Sequence, residues 1–298
     1  MANFMILLFI FIIGLCLGSF YNVVILRSLS GESIVFPPSK CPKCGTKLKP
    51  VHNIPVISYI MLKGKCAFCG EKISWQYPVV ELATGIIFCF LYSKFGWHSM
   101  TFFSMFWVSC LIIMTGTDIK EKVVDCNYAI ALGVSGLIYS WMHHGFLIGL
   151  RESFLGAILG YIIIESIAKL GELLKKGRAM GEADTFIAMA FGAIVGWKFI
   201  GWVMLFSFFA SMFFVLPVFW YKRYKENDVA ALMFSACFIM AIALNYIYYN
   251  YFTAVLLLAA GIALAVYIIK TIHKTSNLSY LPFVPALAGG FMIFLYLY

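Results

Sequence analysis

A chain of 298 residues that is 63% hydrophobic and 12% charged carries about half the charge of a soluble domain. Its mean hydropathy of +0.93 excludes an ordinary water-soluble globule and points to a protein that crosses the membrane many times. The formal net charge of +9 invites a nucleic-acid partner, but the basic residues cluster in the connections between apolar runs, so topology accounts for them and no nucleic acid is needed.

Ten apolar runs follow one another, at about 4–26, 77–94, 100–117, 128–142, 152–170, 183–197, 199–221, 229–248, 252–270 and 280–298. With the N-terminus outside, the inner connections hold Arg27 through Lys72, Lys120 and Lys122, Lys169 through Arg178, Lys222 through Lys225, and Lys270 with Lys274. Only Lys94, Arg151 and Lys198 fall outside, so 19 of the 22 basic residues lie inside and fix the orientation. The first run has no basic residue before it, is long for a signal peptide, and is followed by Arg27; it reads as a retained span. The runs at 128–142 and 183–197 are short for a hydrocarbon core of roughly 30 Å. The expected fold is therefore an all-α polytopic membrane protein of about eight to ten transmembrane helices. It divides into a first span (1–27), a cytoplasmic loop domain (28–76) and a membrane domain (77–298) with its core at 118–200.

The loop domain holds CPKCG and CAFCG, placing Cys41, Cys44, Cys66 and Cys69 in two C-x2-C pairs with 21 residues between them. This spacing suits a four-thiolate tetrahedral zinc site. Gly45 and Gly70 let the chain turn so that backbone N–H groups face the sulfurs. Fewer than fifty residues bury little core, and a metal supplies the missing staple. The competing reading is four free or transiently paired thiols, although no βαβ pattern of a redox domain surrounds them. Cys16, Cys89, Cys110, Cys126 and Cys237 read as small buried hydrophobes of the spans.

With 13 acidic residues, each one can be weighed. Asp118 ends the third run, in IIMTGTDIKEKVVD, and Asp184 opens the sixth, in MGEADTF. Both fall on the cytoplasmic side at similar depth. Two neighbouring carboxylates share a proton, so one can take a proton from water while the other gives one to a scissile carbonyl. Asp184 sits at a helix start, where the dipole favours its anion, and is the better base, although such a pair titrates as a unit. Alternatively Asp184 is an N-cap and Asp118 a solvated helix end. Glu81, one turn into the second span, and Glu165, inside the fifth, suit structural polar contacts as well as they suit chemistry.

Several motifs then agree. GSFYNVVILR (18–27), CPKCG, NIPVISYIMLKGKCAFCG (53–70) and YPVVELATG (77–85) resemble the amino-terminal half of bacterial prepilin peptidases, and LPFVPALAGG (281–290) resembles their closing motif. MGEAD stands where that family has GxGD. The resemblance implies a polytopic aspartic protease of the bacterial inner membrane. Asp118 and Asp184 match its catalytic aspartates, and Cys41, Cys44, Cys66 and Cys69 match its zinc motif. It implies cleavage of the basic leader of type IV pilin or type II secretion pseudopilin precursors just after a Gly. It further implies methylation of the new N-terminus from S-adenosylmethionine, with Glu81 a weaker candidate for that step. Precursors and membrane lipid are the implied partners. Two positions depart from the pattern. Ala183 replaces the second Gly of GxGD, and Asp125 replaces a usual Pro and adds a third carboxylate near Asp118. The region 222–272 is longer than usual, as if a helix hairpin were inserted.

Other classes of function remain open on the sequence. An ion- or proton-coupled transporter would use Glu165, Asp118 and Asp184 as a path, with the zinc loop as regulator. A non-catalytic assembly protein would dock a partner through the loop, and a peptidase that has lost methyl transfer would keep only the aspartates.

Overall fold

The computed structural model describes residues 2–175, 181–211, 228–248 and 283–298, with scattered positions between 252 and 267. The end of the 199–221 run, most of the 252–270 run and the basic residues Lys176 through Arg178, Lys222 through Lys225, Lys270 and Lys274 lie outside the described residues. The first two residues of the 281–290 motif do so too.

The described chain is helical, and among the described residues it forms no strand beyond two isolated bridges. Helix α1 spans Ala2–Ser30; after the loop come α2 (Ile57–Met61), α3 (Gln76–Phe95), α4 (Ser99–Glu121), α5 (Cys126–His144) and α6 (Phe146–Lys175). Helices α7 (Glu182–Val195), α8 (Ile200–Ser211), α9 (Val229–Tyr248) and α10 (Val284–Leu297) complete it. Four of these are long and apolar enough to cross a bilayer: Asn3–Ser30, Gln76–Phe95, Ser99–Glu121 and Phe146–Lys169. They turn large apolar side chains outward, such as Phe9, Ile86, Phe102 and Phe154, as lipid demands and water would not.

With no hydrophobic drive between helices in lipid, close packing of small residues decides which helices pair. In α1, Gly14 and Gly18 form a G-x-x-x-G edge. A Cβ on Gly14 would stand 2.6 Å from Gly85 Cα, and one on Gly18 would stand 2.7 Å from Glu81 Cα, so α3 lies antiparallel against α1 at backbone distance. Buried Asn22 locks the end of the pair that adjoins the loop. Its Nδ2 donates to the Tyr77 carbonyl at 3.2 Å, and its Oδ1 accepts from Gln76 Nε2 at 3.3 Å. In α6, Gly156 faces Gly192 and Gly160 faces Ala188, so α6 and α7 also run antiparallel in near contact. Gly133 meets Ala190 and Gly136 meets Ile194, so α5 and α7 run parallel.

One core joins these pairs. Trp107 and Met114 of α4, Leu132 of α5, Ile187 and Phe191 of α7, and Leu287 and Phe291 of α10 are all fully buried within it. Phe191 and Phe291 stack at 4.5 Å, and the Trp107 indole N–H is satisfied by Ser135 Oγ at 3.0 Å. Helix α10 thereby wedges between α4 and α7.

Candidate active site and metal centre

The parallel register of α5 and α7 decides where the two aspartates meet the bundle. Carrying the Gly133–Ala190 pairing back along both helices brings Asp184 level with the first residues of α5. Helix α5 starts only a short turn after α4 ends, and Asp118 sits in the last turn of α4. Asp118 and Asp184 therefore lie at the same end of the core, one turn beyond Met114 and one turn before Ile187 respectively. Both are 5% exposed.

Each carboxylate is held by backbone. Asp118 Oδ2 accepts from the Val284 N–H at 3.0 Å, one of the unpaired donors at the start of α10. The next residue, Pro285, has no N–H, so Asp118 answers a donor that the helix cannot satisfy itself. This contact joins residues 166 apart and fixes the 281–290 motif to the first aspartate. Asp184 Oδ2 accepts from the Gly181 N–H at 3.1 Å. Gly181 is the N-cap, so Asp184 is the third residue of α7 reaching back and not the cap itself. The α7 dipole favours an anion there.

The neighbouring positions sort themselves by the same test. Asp125 is exposed and caps α5, accepting from Asn127 N–H at 2.9 Å, so its presence has an ordinary structural cause. Ala183 lies inside α7 with helical backbone and is absent from the positive-φ residues, so this chain needs no glycine there. Glu165 is half-buried on α6 and already interacts with other groups. Sequence reading expected Asp118 to end its helix; the helix instead runs on to Glu121 and closes with Lys122 in the left-handed region (φ 56). Asp118 is thus enclosed by a further turn.

Glu81 is 6% exposed on α3, at the helix contact made by Gly18. Its Oε2 accepts from the Val56 N–H at 2.7 Å. Val56 sits at φ 61, ψ −48, and the Ile57 N–H closes on the Pro55 carbonyl at 2.6 Å. That is a γ-turn, a conformation costing on the order of 1–3 kcal/mol for a branched residue, and Glu81 pins it. Beside it, α1 and the loop enclose a cleft of about 330 Å³ that Ser19, Phe20, Val23, Asn53 and Pro55 help to line. Arg27 holds its wall by donating to the carbonyls of Ser33, Ile34 and Pro37. Nothing in the sequence pattern announced Val56; its signal is a conformation, which residue type does not encode.

The four cysteines come together. Their Sγ atoms all lie within 4.8 Å of one another, with Cys41 and Cys69 at 3.9 Å. Four thiolates at zinc–sulfur bonds of about 2.3 Å would sit roughly 3.8 Å apart, so the cluster needs little contraction to hold a tetrahedral ion. The two halves are built alike. Gly45 (φ 70) and Gly70 (φ 71) turn back so that their N–H groups donate to the Cys41 and Cys66 carbonyls at 2.9 and 3.0 Å. The Thr46 side chain and N–H pull the Cys44 thiol down to about 6, and the Cys69 and Phe68 N–H groups lower Cys66. The Glu71 N–H pulls Cys69 the same way, but desolvation and the other three thiols push it up to about 11. The cluster is thus predisposed to thiolate while still sharing protons. No disulfide is formed among the nine cysteines.

Fold and site together define a helical membrane protein that carries two buried carboxylates at one end of its core and a four-thiolate loop beside its first hairpin. Comparison with known proteins carries this further. Residues 12–95 match the profile of the bacterial peptidase A24 N-terminal domain, and residues 105–219 match that of the type IV leader peptidase family. Three relatives named prepilin leader peptidase/N-methyltransferase are similar. The one from Myxococcus xanthus is 32% identical over 67% of this chain and 59% of its own length. That from Neisseria gonorrhoeae is 32% identical over 62% of this chain and 72% of its own, and that from Klebsiella pneumoniae 31% over 64% and 85%. No solved structure matches. The chain belongs to the type IV leader peptidase family.

Proposed function

We propose that this chain cleaves the basic leader of type IV pilin or type II secretion pseudopilin precursors, just after a Gly, at the cytoplasmic face of the bacterial inner membrane. We assign Asp118 and Asp184 as the acid–base pair and residues 118–200 as the peptidase core. The observation that carries this reading is the convergence of two buried, backbone-held carboxylates at one end of the core. One carboxylate, ionised, takes a proton from water as the oxygen attacks the scissile carbonyl carbon; the other, protonated, gives its proton to the carbonyl oxygen. The tetrahedral intermediate collapses, the C–N bond breaks, and the leaving nitrogen takes a proton from the pair. Asp184, at the positive end of α7, starts as the base. Two carboxylates that share one site do not readily ionise together.

The second activity in this proposal is methylation of the freed amine, for which bound S-adenosylmethionine would supply an electrophilic methyl group. The cleft between α1 and the loop is at the lower end of the size range of small-ligand sites, and Glu81 shapes it by holding Val56. In the loop, Cys41, Cys44, Cys66 and Cys69 would hold a structural zinc. The distribution of basic residues in the sequence supports an orientation with the loop and both aspartates inside and the N-terminus outside.

The test is direct. Purified protein in detergent is incubated with a pilin precursor, with and without S-adenosylmethionine, and the product is read by intact mass. Loss of the leader with wild type and not with Asp118→Asn or Asp184→Asn is the expected result. An added methyl mass only with S-adenosylmethionine reports the second activity. Cleavage that survives both substitutions would overturn the dyad.

A further inference from the structure

Helix hydroxyls that lie away from water ordinarily donate to the carbonyl three or four residues back. Thr84 does so to Val80 at 2.7 Å, Thr117 to Met114 at 3.0 Å, Ser135 to Leu132 at 2.8 Å and Ser207 to Val203 at 2.8 Å. Thr185 breaks the rule. It follows Asp184 in the first turn of α7, is 3% exposed, and its Oγ1 has no hydrogen-bond partner. Among the described residues only one other buried side-chain polar atom is so placed, His52 Nδ1 in the thiolate loop. The helix offers Thr185 the Gly181 and Glu182 carbonyls in the usual positions, and it takes neither. A buried hydroxyl without a partner is destabilising, and a valine of the same shape would spare the fold that penalty. Thr185 thus offers an unanswered hydroxyl one residue from a buried carboxylate in the first turn of a helix.

We propose that the Thr185 hydroxyl binds the hydrolytic water. This rests on the assignment of Asp184 as a catalytic carboxylate. A water that gives one O–H to Asp184 has a second O–H free to swing. Accepted by Thr185 Oγ1, that second O–H is fixed, and one of the water's two lone pairs is aimed at the scissile carbonyl carbon. In the step, the new bond forms from the water oxygen to that carbon, the proton goes to Asp184, and Thr185 keeps its own proton throughout. Thr185 is thereby a catalytic residue in the strict sense of touching the attacking atom.

The experiment compares full-length wild type, Thr185→Val, Thr185→Ser and Asp184→Asn in detergent, measuring kcat and KM for precursor cleavage together with Tm. Thr185→Val is expected to lose about 100-fold in kcat, the scale set by removing one fixed hydrogen bond from a transition state. Its KM stays within twofold, and its Tm is unchanged or higher. Thr185→Ser, which keeps the hydroxyl, stays within fivefold of wild type. Thr185→Ala is the second truncation, and its kcat must fall with that of Thr185→Val. A Thr185→Val enzyme with kcat within threefold of wild type, while Asp184→Asn is inactive, overturns the water-binding role and leaves the dyad standing. Thr185→Ser failing like Thr185→Val, or Tm falling with kcat in the truncations, assigns Thr185 to packing and also overturns it. Full cleavage by Asp184→Asn removes the carboxylate reading itself.

Discussion

At the scale of single residues, burial separates the two aspartates proposed for catalysis from an aspartate that structure explains. Asp118 and Asp125 are seven positions apart, yet one is enclosed against α10 and the other caps α5 in solvent. Asparagine caps a helix about as well as aspartate, so Asp125→Asn should leave cleavage within threefold and stability within about 0.5 kcal/mol of wild type. Asp118→Asn should abolish cleavage; side-by-side cleavage assays and melts check both. Ala183 can be judged on the same footing. Its helical backbone means that restoring the family's glycine gains no conformation and adds unfolded-state entropy. Ala183→Gly should therefore lower stability by about 0.5–1 kcal/mol and leave cleavage within a few-fold. Glu81 has a different duty, as the acceptor that holds the Val56 γ-turn beside the cleft. Glu81→Ala should release that turn and cut methyl transfer at least tenfold while cleavage stays within threefold, read by intact mass of the product.

At the scale of elements, small residues and glycine turns do the positioning. A Cβ on Gly156 would run into the Gly192 carbonyl, whereas one on Gly201 meets nothing. Gly156→Ala should therefore force α6 from α7 and lower Tm by the equivalent of about 1–3 kcal/mol, and with α7 displaced, cleavage should fall too. Gly201→Ala should leave Tm unchanged or slightly raised, which makes it the control. In the loop, Cys44 at about 6 is already thiolate at neutral pH, while Cys69 at about 11 still holds a proton that a metal must displace. Metal affinity should accordingly rise with pH above 6, and fall more steeply below it, where Cys44 too is protonated; competition with a chromophoric chelator across that range measures it. Much at this scale was legible beforehand. The run at 229–248 is helical throughout and α9 starts with it at Val229, and the cysteine spacing foretold the cluster. Other elements were not. Helix α6 begins at Phe146, well before the run at 152–170, because Arg151 and Glu152 break the hydropathy without breaking the helix. The pairing of Asp118 with the start of α10 spans 166 residues, and no periodicity carries such a contact. The unpartnered Thr185 hydroxyl is equally silent in sequence, since a threonine with a bond and one without are the same letter.

At the scale of the whole molecule, three observations agree on one direction. The end of α4, the start of α7 and the start of α10 lie together, joined by the parallel α5–α7 register and the Asp118–Val284 contact. Helix α3 leads from the thiolate loop to the opposite end and α4 returns, so the loop lies at the end that carries the aspartates. Among the described residues, the same end holds Lys120, Lys122 and the basic residues of the loop, which the sequence pattern assigns to the cytoplasm. The proposed substrate joins a basic cytoplasmic leader to an apolar segment, and the proposed reaction therefore calls for both acids on this side. On this topology a cysteine introduced at Trp97, in the short connection between α3 and α4, faces the periplasm. One introduced at Lys122, just past Asp118, faces the cytoplasm. A membrane-impermeant maleimide applied to intact spheroplasts should then add mass to Trp97→Cys beyond the wild-type background and leave Lys122→Cys at that background. Permeabilised cells should label both. The reverse pattern would put the aspartates outside, away from any cytoplasmic leader, and would leave their burial to be explained by packing alone.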